Sequence, residues 1–87
     1  MELRVSIDYD FNTAFLLYCG ELYEVPLRDA NGLVLSLKKR LGEERRIPGD
    51  NIMSHVWDVN AGQCRAVWSI VDAIKDKKLI SERVWDF

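Results

Sequence analysis

Asp8-Tyr9-Asp10-Phe11-Asn12 places oxygen donors at alternate positions, a pattern that could hold a divalent cation. A calcium loop with ligands at positions one, three and five also needs Gly at position six, for a sharp turn, and Glu at position twelve, for bidentate ligation. Thr13 and Cys19 stand there instead, and the flanking residues read as strands. An Asp-x-Asp closing an apolar strand can also act as a phosphoryl-accepting nucleophile. That chemistry needs a second carboxylate pair and a lysine, positioned by a large parallel sheet that 87 residues cannot build. Asp8 and Asp10 therefore read as the outward face of a strand.

His55 is the only histidine, and with Cys19 and Cys64 far from it in sequence there is no zinc-ligand spacing. A Cys64–His55 or Cys19–His55 pair would be the simplest nucleophile and base. Both cysteines sit at apolar positions, which favours buried, inert thiols instead. No glycine-rich phosphate loop, GxSxG, HExxH or Walker lysine is present. The expectation is a protein without catalytic residue, cofactor or metal, and not an enzyme. A small enzyme whose site is assembled only in space stands as the last alternative.

The charge is unevenly placed. The chain has a formal net charge of −2 and a pI near 5.3, so there is no bulk attraction to nucleic acid or anionic membrane. Residues 1–37 hold six acids against two bases, and residues 38–46, KKRLGEERR, hold five bases against two acids. Lys38, Lys39, Arg40, Arg45 and Arg46 are the candidate phosphate contacts if the protein binds nucleic acid. No aromatic interleaves with them to stack on bases. Segments 52–59 and 61–77, if both are helical, would imitate a helix-turn-helix, but the later segment shows a mixed face of Arg65, Ser69, Asp72, Lys75 and Asp76.

These residues need elements to carry them. Eighty-seven residues make one domain, 1–87, at 48% hydrophobic and 30% charged, ordinary for a globular protein. Residues 2–11 alternate strictly, with Leu3, Val5, Ile7, Tyr9 and Phe11 on one face, which predicts a strand. Residues 14–27 predict a hairpin turning at Gly20-Glu21, with Tyr18 opposite Tyr23, Leu16 opposite Val25 and Ala14 opposite Leu27. Its second face, with Phe15, Leu17 and Leu22, is also apolar, which predicts a central strand covered on both sides. Pro26 ends the third strand.

Asp29 or Asn31 should cap a helix over 29–44, with Leu33, Val34, Leu37 and Leu41 as its stripe. Residues 45–51 read as a break around Pro48-Gly49. Residues 52–59 fit a short helix or a strand, the helix being favoured. Asn60 caps a helix over 61–77, whose Ala61, Cys64, Val67, Trp68, Val71 and Ile74 recur at helical spacing. The tail offers a last strand at 82–87. The fold class is α+β: a small single domain with an N-terminal three-stranded antiparallel meander packed by the helices at 29–44 and 61–77.

The functional expectation is a non-catalytic protein-binding module. Its sharper form is a small phage-type inhibitor of a nucleic-acid-handling or defence protein, presenting an acidic sheet face in place of phosphates. The partner-binding candidates are Glu2, Asp8, Asp10 and Glu24 on that face and Trp85 and Phe87 in the tail. The partner is another protein of unknown identity, or a second copy in a homodimer. Nucleic acid is disfavoured by net charge, and no apolar run approaches the roughly 20 residues of a membrane span. No secretion signal pattern is seen, so the expected location is cytoplasmic, in the host cell if phage-encoded.

Overall fold

Apolar and polar residues alternate in β1 (Glu2–Asp8), and Leu3, Val5 and Ile7 are all buried on one side of it. In the computed structural model, which describes residues 1–78, β1 is the middle strand of a five-stranded antiparallel sheet. Its companions are β2 (Thr13–Tyr18), β3 (Glu21–Val25), β4 (Arg45–Gly49) and β5 (Ile52–Asp58), in the order β3-β2-β1-β5-β4. The fold is α+β, and the first three strands form the predicted meander. A last strand at 82–87, with Trp85 and Phe87, lies outside the described residues.

β1 is shorter than its alternation suggests. The Asp8 carboxylate accepts the backbone N–H of Asp10 at 3.0 Å and of Phe11 at 3.2 Å, folding the chain into a turn. Asn12, at φ 56°, completes it. Tyr9 and Phe11 leave the core face and are 59% and 79% exposed.

The hairpin turns one residue earlier than expected, at Cys19-Gly20. Both have positive φ, 53° and 76°, which a type I′ loop requires at its two central positions. Tyr18 therefore faces Glu21, Leu16 faces Tyr23 and Ala14 faces Val25. Each partner moves by two positions, so the core face keeps its members. Cys19, expected to be buried, is exposed at the turn. β2 is an interior strand, paired with β1 and β3, and β3 is an edge; the expected cover on both sides is not there, since no described residue covers the second face of β2.

Helix α1 (Leu27–Leu41) starts directly after Pro26, whose carbonyl accepts the N–H of Asp29 at 2.8 Å. Neither Asp29 nor Asn31 is the cap. Asp29 lies in the first turn, where its charge suits the helix dipole. Gly42, at φ 92°, ends the helix with its N–H on the Lys38 carbonyl.

Residues 45–49 are a strand, not a break. Asp50-Asn51 is the turn, with Asn51 at φ 57°, and Gly49 pairs with Ile52. Pro48 is tolerated because β4 is an edge. Residues 52–58 are a strand, not the favoured helix. Their apolar groups look irregular because both faces are shielded: Val56 lies between Arg4 and Arg45 on one side and Trp57 joins the core on the other. The helix-turn-helix reading falls with this correction.

Asn60 caps the last helix as expected. Its side chain accepts the Gln63 N–H at 3.1 Å, and the Gln63 side chain accepts the Asn60 N–H at 3.1 Å. One 3-10 turn (Ala61–Gln63) leads into α2 (Cys64–Lys78). α1 lies over β1 and β2, and α2 lies over β3. Leu33, Val34 and Leu37 of α1 and Val67 and Val71 of α2 join Leu3, Val5, Leu16, Tyr18, Tyr23 and Trp57 in one core. Both helices thus pack on the same sheet face. Among the described residues, no helix is long and apolar enough to cross a membrane.

Candidate binding surface

The sheet registers lay out the face away from the helices as rows across the strands. One row runs Leu22, Leu17, Arg4, Val56, Arg45; the next runs Glu24, Phe15, Ser6, Ser54, Ile47; a third runs Thr13, Asp8, Ile52, Gly49. Half-buried Leu22, Leu17 and Phe15 form an apolar strip on the β2–β3 side. Exposed Ile47 and Ile52 form another on the β4–β5 side. A polar seam divides them, closed by the Ser6 and Ser54 hydroxyls at 3.0 Å.

Two loops meet at the end of this face. The Tyr9 N–H donates to the Asn51 carbonyl at 2.8 Å, and Asn51 Nδ2 donates to Asp10 Oδ1 at 2.9 Å. Together with the Asp8 turn, these bonds tie residues 9–12 to the 50–51 turn. The tied loop presents Tyr9 and Phe11 to solvent among the carboxylates of Asp8, Asp10 and Asp50.

Of the predicted acidic residues, the structure gathers three. Asp8 and Asp10 belong to this loop, and Glu24 joins them through Thr13, whose hydroxyl donates to Glu24 Oε2 at 3.3 Å. Glu2 lies at the opposite end of β1, on the order of 20 Å away at the rise of a strand. There it meets Arg4 at 3.4 Å and Arg45 at 4.0 Å. Trp85 and Phe87 lie outside the described residues.

The five bases do not form one patch. Arg45 reaches Asp58 at 3.4 Å as well as Glu2. Lys38 lies 3.8 Å from both Glu43 and Glu44, and Arg46 lies 3.5 Å from Glu44. Lys39 and Arg40 are exposed on the last turn of α1 and form no ion pair among the described residues.

His55 is engaged with Glu44, not with a thiol. Its Nδ1 lies 2.8 Å from Glu44 Oε2, and its ring stacks on Trp57, whose Nε1 donates to the Gly42 carbonyl at 3.0 Å. Burial opposes the Glu44 charge. The backbone N–H, His55, Lys38 and Arg46 outweigh it and hold the carboxyl below its usual range. The group fastens the end of α1 to β5. Among the described residues, no three His, Cys, Asp or Glu side chains gather as a metal site.

Tyr9, Phe11, Asp50 and Asn51 were not legible as site residues. Tyr9 and Phe11 continue the alternation of β1 and so read as core. The signal against this is the turn chemistry of Asp8, Asp10 and Asn12, whose side chains compete with the sheet ladder for backbone N–H groups. No protein-family model, curated protein or solved structure matches this chain.

Proposed function

We propose that the protein is a non-catalytic protein-binding module that uses the acidic, aromatic end of its open sheet face. The observation that carries this reading is the exposure of Tyr9 and Phe11 on a loop tied by hydrogen bonds. Large aromatics are costly to leave in water, and held in place they suit the anchoring role aromatics play at interfaces. The surrounding Asp8, Asp10, Glu24 and Asp50 favour a partner with basic and apolar groups. The sharper form is inhibition of a nucleic-acid-handling or defence protein, with Asp8, Asp10 and Glu24 occupying positions that phosphates would take.

The test compares capture of host proteins by the wild type, by Tyr9→Ser/Phe11→Ser and by Asp8→Asn/Asp10→Asn. The asparagines keep the carbonyl oxygens that hold the loop. A partner lost with the aromatics, and weakened by added salt and by the asparagines, supports the reading. A partner retained equally by all three proteins at all salt concentrations overturns it.

A further inference from the structure

The two edges of the sheet are not alike. At the β3 edge, the type I′ loop closes on Tyr18 and Glu21 as a hydrogen-bonded pair. Such pairs alternate along the strand, so Tyr23 and Val25 also bond β2, while Leu22 and Glu24 turn their N–H and C=O groups outward. No described residue bonds these four groups. β4, at the other edge, carries Pro48, which has no N–H to offer, together with Arg45 and Arg46. Proline and basic side chains are the usual means of keeping an edge from pairing. β3 has no proline, no bulge and no base along its length.

Side chains on both faces say what could pair here. On the open face, half-buried Leu22 continues into Leu17 and Phe15, and Glu24 follows on the same side of β3. On the helix face, Tyr23 is buried where α2 lies over β3, and exposed Glu21 accepts its hydroxyl. Glu21 and Glu24 thus put one acid on each face of the edge. Two copies joined through β3 would gather their glutamates on one ladder, and like charges across a ladder are destabilising. A strand with bases opposite Glu21 and Glu24 and an apolar group opposite Leu22 makes opposite-charge and apolar pairs instead.

We propose that an extended segment of the partner protein, with two basic residues three positions apart, adds to β3 as a sixth strand. Its backbone bonds the outward groups of Leu22 and Glu24, and its two bases meet Glu21 and Glu24 on opposite faces. In strand addition the main-chain bonds supply affinity and the side-chain spacing supplies selectivity. The inference rests on the reading of this protein as a binding module for a basic partner, and adds how that partner is held. Glu24 belongs both to this edge and, through Thr13, to the acidic end of the open face, so a segment on β3 continues toward the aromatic loop.

The test titrates the full chain with a short peptide of threonine and valine that carries two lysines three positions apart. Amide hydrogen exchange at Leu22 and Glu24 should be fast in the free protein and about tenfold slower with the peptide bound. Methylating the two peptide nitrogens that face β3 removes two hydrogen bonds and should weaken binding about tenfold. A peptide with glutamates in place of the lysines should not bind the wild type and should bind Glu21→Lys/Glu24→Lys. Slow exchange at both amides before peptide is added means that the edge is already taken, by the chain's own tail or by another copy, and overturns the proposal. Equal binding of the methylated peptide, or unchanged exchange at Leu22 and Glu24 in millimolar peptide, also overturns it. Peptide binding reads the β3 edge and host capture reads Tyr9 and Phe11, so each reading can fail without the other.

Discussion

Glu44 Oε2 lies 2.8 Å from His55 Nδ1, inside a side chain that is 1% exposed. Lys38 and Arg46 approach the same carboxylate from α1 and β4. Lys38, Arg46 and His55 thus fasten α1, β4 and β5 at one carboxylate.

This carboxyl is held below its usual range, so the charged form favours the folded state. Its contribution is complete above the ordinary carboxylate pKa and is lost as pH falls through the lower folded value. Acidification should therefore destabilise the wild type more than Glu44→Gln, whose amide does not titrate. At neutral pH the substitution should itself cost about 1–3 kcal/mol. Urea unfolding midpoints at neutral and acid pH measure both effects, and equal acid sensitivity in the two proteins would exclude this role for Glu44.

Two glycines of the α1 region should respond in opposite directions to alanine. Gly42 has φ 92° and Gly32 is helical, and an added Cβ meets nothing within 4 Å at either site. Only backbone conformation separates them. Gly42→Ala should cost about 1–3 kcal/mol, the range for a residue forced into a sparsely populated conformation. Gly32→Ala should stabilise by about 0.5–1 kcal/mol. Thermal denaturation of the two variants reads the sign directly.

Asn60 holds the start of the last helix through reciprocal bonds with Gln63. Asn60→Ala should cost about 1 kcal/mol. It should also speed amide hydrogen exchange at Gln63, whose N–H loses the side-chain acceptor and keeps only the Asn60 carbonyl at 3.0 Å. Unchanged exchange there would show that the cap does not protect this turn.

Stability and binding should separate between Leu16 and Phe11. Leu16 is fully buried, so Leu16→Ala should cost about 2–5 kcal/mol. Phe11 is exposed, and Phe11→Ser should change stability by no more than about 0.5 kcal/mol. Denaturant titration of the two variants checks this. A large loss for Phe11→Ser would mean that the ring supports the fold rather than serving a partner.

Where a local signal stood alone, the residues themselves determined the element. Alternation placed Leu3, Val5 and Ile7 on the core face of β1, Pro26 ended β3, and Asn60 capped the last helix. Helical spacing brought out Leu33, Val34 and Leu37 of α1 and Val67 and Val71 of α2 as buried stripes. These follow from side-chain period and hydrogen bonding over a few residues, and no distant contact is needed to read them.

Tertiary structure decided the rest, because competing local patterns were arbitrated by distant partners. Residues 52–58 have both helical and strand spacing, and pairing with β1 on one side and β4 on the other makes them a strand. Residues 45–49 read as a break until an edge position gave Pro48 a place. Tyr9 and Phe11 keep the alternation of β1, but the Asp8 turn and the Asn51 contacts lift them into solvent. Met1 and Cys19 are far apart in sequence, and only the meeting of the chain start with the hairpin turn brings their sulfurs together. Periodicity reports which side chains share a face. It carries no record of which element lies opposite, and the candidate binding surface of this protein depends on that.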